Sequence, residues 1–568
     1  MKEPLRLKGV GASWGIAFGK ATVIVPKANE IENIQEKDPK KVLQLAKEKT
    51  IQLLDTLIGE DNSQKEIAGI VNAHKLMVEG IVDEAFELVK QGESVVNAIS
   101  LATKKYVELL KSSESALIQS RAEDLEDIKN ILLMSLSGYE PKKIGNNANA
   151  IVILPDLYPS QVLIYAKMGV RGIVAEKGSY TSHAAIIARA LEIPTVLGVP
   201  GITQTVRDGD KIIVDGFLGE VIVNPDEKTI GEYLKKKESF EVLKEKFKGI
   251  GDEVVSTKDG RKILVTANVG SEDDLNVAVK NGCDGVGLFR LEFYYINRAT
   301  PPSMEELASL FTKFVKKLGN KPLTIRLLDV GGDKEVPYLQ FPKEDNPFLG
   351  VRGIRYLLKH PEILEEQVKA ILMASKETGG NIRIMAPMIS RLEEITKLKE
   401  ILKELSEDNS ANIKLGIMAE VPSVVFMIEK IVKEVDFISI GTNDLTQYIF
   451  ATDRTNENVS YLYDDMHPAV LRAISEISNK AQKAGVEVDV CGELASNPLA
   501  VPILVGLGIN ELSVSPTRIP LVKWIVKSIS YEEAFQLAKE ALNSDNGEEV
   551  REKARAFFRK KLGVELPF

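Results

Sequence analysis

Apolar and polar positions change their rhythm twice along the chain. From about residue 42 to residue 138 apolar side chains recur at helical spacing, as in Ile51, Leu53, Leu54, Leu57 and Ile58, with little strand character. That stretch predicts a helical bundle. Short apolar strands lie on both sides of it, at 21–25 before and at 150–154, 172–175, 212–214 and 221–223 after. Strands interrupted by a block of helices are expected of one α/β domain carrying an inserted bundle. A highly charged helical run over 233–247 then reads as a solvated connecting helix, ending near Gly249-Ile250-Gly251.

Beyond residue 252 short apolar strands alternate with amphipathic helices, the signature of a parallel α/β fold. Eight strands can be placed, at 263–265, 286–288, 323–325, 382–384, 415–417, 437–440, 488–490 and 512–514. Eight such repeats fit a (β/α)8 TIM-type barrel. An open doubly wound sheet is the competing architecture, but no Gly-x-Gly-x-x-Gly opens its first helix. The fold class expected is multidomain α/β. Residues 1–28 and 145–228 form one α/β domain, 29–144 the inserted bundle, 229–252 the connector and 253–568 the barrel.

Composition narrows the function. A chain of 568 residues with 44% hydrophobic and 27% charged residues has the balance of a soluble globular protein. Its net charge of -9 argues against nucleic acid or an anionic membrane as partner. No apolar run reaches spanning length and no signal-like segment follows Met1, so a cytoplasmic location is expected. Cys283 and Cys491 are too few for a disulfide framework and sit in no metal-binding pattern.

In a barrel, active groups belong just after each strand, at the C-terminal face. There the chain carries Arg290 and Glu292, then Arg326, Asp329 and Gly331-Gly332-Asp333-Lys334, then Arg352 and Arg355. Glu420 follows the fifth strand, Gly441-Thr442-Asn443-Asp444 the sixth with Asp453 and Arg454 soon after, and Cys491-Gly492-Glu493 the seventh. Arginines at the ends of buried strands need an anion to offset them, and several together imply a multiply charged one. Salt bridges to neighbouring Asp and Glu are the structural alternative. Glu420 and Asp444, on adjacent strands, would suit a hard cation such as Mg²⁺. Cys491 reads either as a core cysteine or as an acid or nucleophile.

Four histidines occur. His360 and His467 each precede a proline and read as helix-end residues, and His74 reads as an exposed position on a bundle helix. His183 stands between the turn-rich Lys177-Gly178-Ser179-Tyr180-Thr181-Ser182 and the helical Ala184-Ala185-Ile186-Ile187-Ala188-Arg189. A helix N-terminus favours a neutral, nucleophilic imidazole and would stabilise a phosphoryl group attached to it. Taken alone, helix capping is its plainer role.

The segments Thr181-Ser182-His183-Ala184-Ala185, Gly285-Val286-Gly287-Leu288-Phe289-Arg290, Asp329-Val330-Gly331-Gly332-Asp333-Lys334, Asn346-Pro347-Phe348-Leu349-Gly350, Gly441-Thr442-Asn443-Asp444 and Val490-Cys491-Gly492-Glu493 together resemble Enzyme I of the bacterial sugar phosphotransferase system, the phosphoenolpyruvate-protein phosphotransferase, over essentially the whole chain. The resemblance implies that His183 accepts the phosphoryl group of phosphoenolpyruvate and hands it to a histidine-containing phosphocarrier protein. It assigns Arg290, Arg326, Lys334, Arg352, Asn443 and Arg454 to the substrate, Glu420 and Asp444 to Mg²⁺, and Cys491 to protonation of the departing enolate. It further implies a swivelling phosphohistidine domain, a phosphocarrier surface on the bundle near His74, and a homodimer formed through the barrel. Departures from the family pattern fall at Gly178-Ser179-Tyr180 and Val162, near the histidine, and at Leu291, Leu327 and Ala419 in the barrel. A phosphoenolpyruvate synthase or dikinase would need a further nucleotide-binding domain, and no Gly-x-x-x-x-Gly-Lys-Ser/Thr loop is present. A non-catalytic phosphoenolpyruvate sensor is the alternative from another class.

Overall fold

The apolar runs on both sides of the inserted helices pair into a single sheet. The computed structural model describes residues 4–24, 38–56, 65–111, 116–136, 149–178, 183–247, 249–296, 298, 300–332, 336, 338–339, 341–406, 413–454, 456 and 459–563. It divides near residue 241 into two units. In the first, β1 (Leu5–Lys8), β2 (Val10–Ser13), β3 (Ile16–Val23), β4 (Ala150–Leu154), β5 (Gly172–Ala175), β6 (Thr195–Leu197), β7 (Lys211–Asp215) and β8 (Glu220–Val223) take the order β1-β8-β7-β3-β4-β5-β6-β2. The centre, β3 to β6, is parallel, and β7 runs antiparallel to β3. Fully buried parallel strands read as unbroken apolar runs, as Ala150-Ile151-Val152-Ile153-Leu154 does.

Four helices, Pro39–Thr56, Lys65–Lys90, Val95–Lys111 and Ala116–Leu136, lie between β3 and β4 in the chain. Their buried residues recur at helical spacing, for example Val78, Ile81, Val82 and Ala85, and share one core with the sheet. The Ser160 hydroxyl donates to Asp127 Oδ1 at 2.6 Å, tying the last bundle helix to the helix Pro159–Lys167. His74 corrects the exposed reading. It is 2% exposed, because position 74 continues the stripe of Val78, Ile81 and Val82 into the core. The connecting helix is also less solvated than its charge suggests. It spans Glu227–Phe247, begins where Asp226 Oδ1 accepts the Thr229 N–H at 2.8 Å, and buries Tyr233 against Ile16, Ile213 and Ile222.

The second unit is a closed barrel. Its strands are β10 (Lys262–Val269), β11 (Val286–Arg290), β12 (Leu323–Arg326), β13 (Ile382–Ala386), β14 (Lys414–Ala419), β15 (Phe437–Ile440), β16 (Glu487–Val490) and β17 (Glu511–Val514). Each pairs in parallel with the next, and β10 pairs with both β11 and β17, which closes the ring. All eight expected strands are present. A short strand before them, β9 (Val255–Ser256), pairs antiparallel with β10 at its start. Among the described residues no helix is long and apolar enough to cross a membrane.

Candidate active site

Strand side chains alternate inward and outward, so the last inward positions of a barrel converge at its C-terminal mouth. Arg290 and Arg326 are direct neighbours across β11 and β12. Like charges placed so are unfavourable unless carboxylates or a bound anion offset them. Arg326, 5% exposed, has carboxylates: it donates to Glu292 and lies 3.4 Å from Asp329 Oδ2, leaving its Nε without a partner among the described residues. Burial opposes its charge, but Glu292 and Asp329 outweigh that and raise its pKa. Arg290 is half-buried and makes no hydrogen bond or ion pair among the described residues.

Arg352 is committed more fully, and here the salt-bridge alternative is realised. Its Nε and one terminal nitrogen donate to Asp329 at 3.0 Å each, and its two terminal nitrogens donate to Asp444 at 2.9 and 3.2 Å. Two backbone features allow this grip. Gly331, at φ +102°, lets the Val351 carbonyl approach so closely that a Cβ there would stand 2.3 Å from its oxygen. Gly353, at φ +56°, lies where a Cβ would press on Asp329 and Met388.

Glu420 has no exposed surface. Its Oε1 accepts the Met388 N–H at 2.6 Å, and its Oε2 has no partner among the described residues. Burial, then the nearby Asp444 and Asp329, push its pKa up to about 8. Asp444 goes the other way: burial opposes its charge, but Arg352 prevails and lowers its pKa. Met388 holds φ +58°, a left-handed backbone that a long side chain rarely adopts, in order to aim its N–H at Glu420. No sequence pattern pointed to Met388.

A buried carboxylate oxygen without a donor is where a hard cation fits. Mg²⁺ takes one or two protein carboxylates and fills its octahedron with water and phosphate oxygens. Glu420 and Asp444 suit that sparse set; among the described residues no group of three or more His, Cys, Asp or Glu forms a fuller cage.

Cys491 sits at the end of β16, 2% exposed, among Leu288, Met385, Met418 and Phe437. Its thiol donates to the Ile440 carbonyl at 3.7 Å. Burial, then Asp489, push its pKa up to about 12, so it keeps its proton at neutral pH. That favours an acid over a nucleophile. The half-buried Asn443 fixes the adjoining loop, its Oδ1 accepting the Glu493 N–H at 2.8 Å. Arg454 is half-buried, its backbone N–H donating to Gln447 at 3.2 Å, and its charge helps lower the pKa of Asp444. Lys334 lies outside the described residues.

His183 is the first residue of the helix His183–Ala190, as its flanking pattern implied. Its side chain and residues 179–182, including Tyr180, lie outside what is described. Val162, on the helix Pro159–Lys167, is buried in the same core as Ala184, Ala185 and Ala188. His360 and His467 stand at helix starts. His467 Nδ1 accepts the Ala469 N–H at 3.1 Å, and His360 stacks on Tyr356 with ring centroids 4.2 Å apart.

By its three domains the chain is a PEP-utilising enzyme. Residues 244–531 match the PEP-binding domain of that family, 146–219 its mobile domain and 8–121 its N-terminal domain. The phosphoenolpyruvate-protein phosphotransferase of Bacillus subtilis (strain 168) is 37% identical over 564 residues, covering 96% of this chain and 98% of that protein. The one of Staphylococcus carnosus (strain TM300) is 35% identical over 561 residues, with the same coverage. Over 78% of each chain, the enzyme of Geobacillus stearothermophilus is 39% identical. This chain belongs to the phosphoenolpyruvate-protein phosphotransferase family.

Proposed function

We propose that the barrel mouth binds phosphoenolpyruvate, that His183 takes its phosphoryl group, and that a histidine-containing phosphocarrier protein receives it next. The observation that carries this reading is the neighbouring pair Arg290 and Arg326, of which only Arg326 has carboxylate partners among the described residues. Arg290 and the unpaired Nε of Arg326 are donors for a trianionic ligand, with Lys334, Arg352, Asn443 and Arg454 completing its surroundings. Glu420 and Asp444 would hold Mg²⁺, which when bound neutralises charge on the transferring group.

In the reaction the bond from phosphorus to the enol oxygen breaks and a bond from phosphorus to an imidazole nitrogen of His183 forms. The Cys491 thiol gives its proton to C3 of the enolate, releasing pyruvate and leaving a thiolate. Tyr180 and Val162 mark the histidine's surroundings as a part in which this chain departs from the family pattern. We place the protein in the cytoplasm as a homodimer through its barrel, with domains bounded as the sequence reading has them. We assign the phosphocarrier surface to the bundle, with His74 supporting it from beneath.

The test is incubation of the full chain with Mg²⁺ and phosphoenolpyruvate labelled in its phosphate. Wild type should become labelled without ATP, and His183→Ala should not. Label on the variant would overturn the assignment of His183. An ATP requirement would favour a synthase or dikinase, and absence of label on wild type a sensor.

A further inference from the structure

Beneath the mouth the barrel holds a second polar layer that this chemistry leaves unused. Its members are Thr266 on β10, Arg383 on β13, Ser439 on β15, Asp489 on β16 and Glu511 on β17, all buried. Register sets Ser439 beside Asp489, and Asp489 beside Glu511. The Ser439 hydroxyl donates to Asp489 Oδ1, and the Thr266 hydroxyl donates to Glu511 Oε1 at 3.0 Å. Arg383 lies 3.1 Å from Glu487 Oε2 and 3.6 Å from Glu511 Oε2. Lys414 also pairs with Glu487, so Arg383 offsets Glu511 while Asp489 makes no ion pair among the described residues, and its full ionisation would leave uncompensated charge in the barrel. Burial, then Glu511, raise the Asp489 pKa well above the ordinary carboxylate value, so its carboxyl group keeps a proton to higher pH than usual.

Ser439 has a second neighbour. Its hydroxyl faces the Cys491 thiol closely enough to lower that thiol's pKa, and Cys491 lies two residues beyond Asp489, on the same face of the chain. A line of polar groups therefore runs from Cys491 through Ser439 to Asp489, and on past Glu511 to Glu487, whose side chain is 48% exposed. Around the thiol itself the packing is apolar, from Leu288, Met385, Met418 and Phe437. Once Cys491 has given up its proton, this line is the protein's own route for restoring it.

We propose that Asp489, acting through Ser439, returns a proton to the Cys491 thiolate after each turnover. This rests on the reading of Cys491 as proton donor to the enolate. Once the thiolate forms, the Ser439 hydroxyl turns from Asp489 Oδ1 toward Sγ; its proton moves to Sγ while the Ser439 oxygen takes the Asp489 carboxyl proton, so one S–H and one O–H bond form as two O–H bonds break. Asp489 is left as a carboxylate and regains its proton from water. Asp489 touches no substrate and is a positioning residue for the thiol's proton.

Isotope exchange tests this without a phosphocarrier protein. The full chain, with Mg²⁺, phosphoenolpyruvate and carbon-labelled pyruvate in deuterated water, should interconvert the two compounds and wash deuterium into the pyruvate methyl group. Asp489→Asn and Ser439→Ala should each cut deuterium gained per carbon exchange by about tenfold, because the proton on sulfur then passes back to substrate before it meets solvent. A purely structural role would lower both exchanges in proportion, and that result would overturn the relay. So would an unchanged ratio in both variants while Cys491→Ala loses both exchanges, which leaves the reading of Cys491 standing. If Cys491→Ala retains both exchanges, that reading fails and the relay with it.

Discussion

Two layers of one barrel set arginine among carboxylates, and they differ in proportion. At the mouth Arg326 and Arg352 pair with Glu292, Asp329 and Asp444; below, Arg383 pairs with Glu487 and Glu511, and Lys414 with Glu487 from the barrel's outer rim. Near balance keeps the mouth ionised, with the surplus of negative charge appearing as the raised pKa of Glu420. In the lower layer Asp489 makes no ion pair among the described residues, and buried Asp489 and Glu511 both shift upward. The same residue types therefore make an anion and cation site at one level and a store of protons at the next. Cys491 lies in the apolar layer between them, within reach of both functions.

The largest expected effect separates arginines that look alike in sequence. Arg326→Leu would take the guanidinium away from buried Glu292 and leave Asp329 to Arg352, so it should cost about 3–5 kcal/mol of stability as well as activity. Arg290→Leu strands nothing among the described residues. It should lower phosphoenolpyruvate-dependent labelling of His183 by about 10²–10³-fold, while stability stays within about 0.5 kcal/mol of wild type. Denaturant unfolding beside rapid-quench labelling checks both. If the Arg290 variant is destabilised like the other, Arg290 is a structural residue and the mouth is not prepared for an anion.

Next in size is Glu420→Gln. The amide oxygen can still accept the Met388 N–H, while the charge is lost from a site where burial already disfavours it. Labelling at fixed Mg²⁺ should fall about 10²-fold and recover partly as Mg²⁺ is raised, with apo stability unchanged or higher. A fall that no amount of Mg²⁺ relieves, together with lost stability, would place Glu420 in the scaffold instead.

How much of this was legible in sequence depended on which physical signal each part leaves. Parallel strands buried on both faces leave apolar runs, so all eight barrel strands could be placed. Charged residues following those runs marked the mouth, because topology alone sends strand ends there. The lower layer left a weaker signal, a lone charge inside an apolar run as in Val488-Asp489-Val490, which inspection of strand ends passes over. Met388 left none, since its positive φ goes with a hydrogen bond to Glu420, on the neighbouring strand but distant in sequence. His74 left a misleading signal, because a polar residue points to a polar face while its spacing from Val78 puts it on the buried stripe. That Arg352 would be engaged by two aspartates could not be read from residues 23 and 92 positions away.

A smaller effect tests the backbone that shapes the mouth. At Gly353, φ is +56° and an added Cβ would stand 3.0 Å from Met388 and 3.2 Å from Asp329 Oδ1. Gly353→Ala should therefore destabilise the barrel by about 1–3 kcal/mol and raise the KM for phosphoenolpyruvate, because Asp329 positions Arg352. Reduced stability with an unchanged KM would mean that the Asp329–Arg352 pair tolerates displacement.

The smallest effect bears on the proton store directly, through the dependence of stability on pH. Asp489 has a higher pKa folded than its ordinary value, so the native state holds this proton more tightly than the unfolded chain does. Its stabilising contribution is fully present below the unfolded value, near 4, and is lost as pH rises through the folded value. Carboxylates whose pKa is lowered, such as Asp259 and Glu306 at about 2, have the opposite slope, but theirs is complete once pH passes the ordinary carboxylate range. Above that range the lower layer makes the wild-type barrel less stable as pH rises. Asp489→Asn removes one of these titrations while leaving Glu511, so its stability should fall less steeply, by about 1.4 kcal/mol for each pKa unit of upward shift removed. Asp284 and Glu420 also shift upward, but they are common to both chains and cancel in the difference. Urea unfolding of wild type and variant at about pH 5 and about pH 9 should show the curves converging or crossing as pH rises. Parallel curves would mean that Asp489 is ionised throughout, and would make the two layers of the barrel alike.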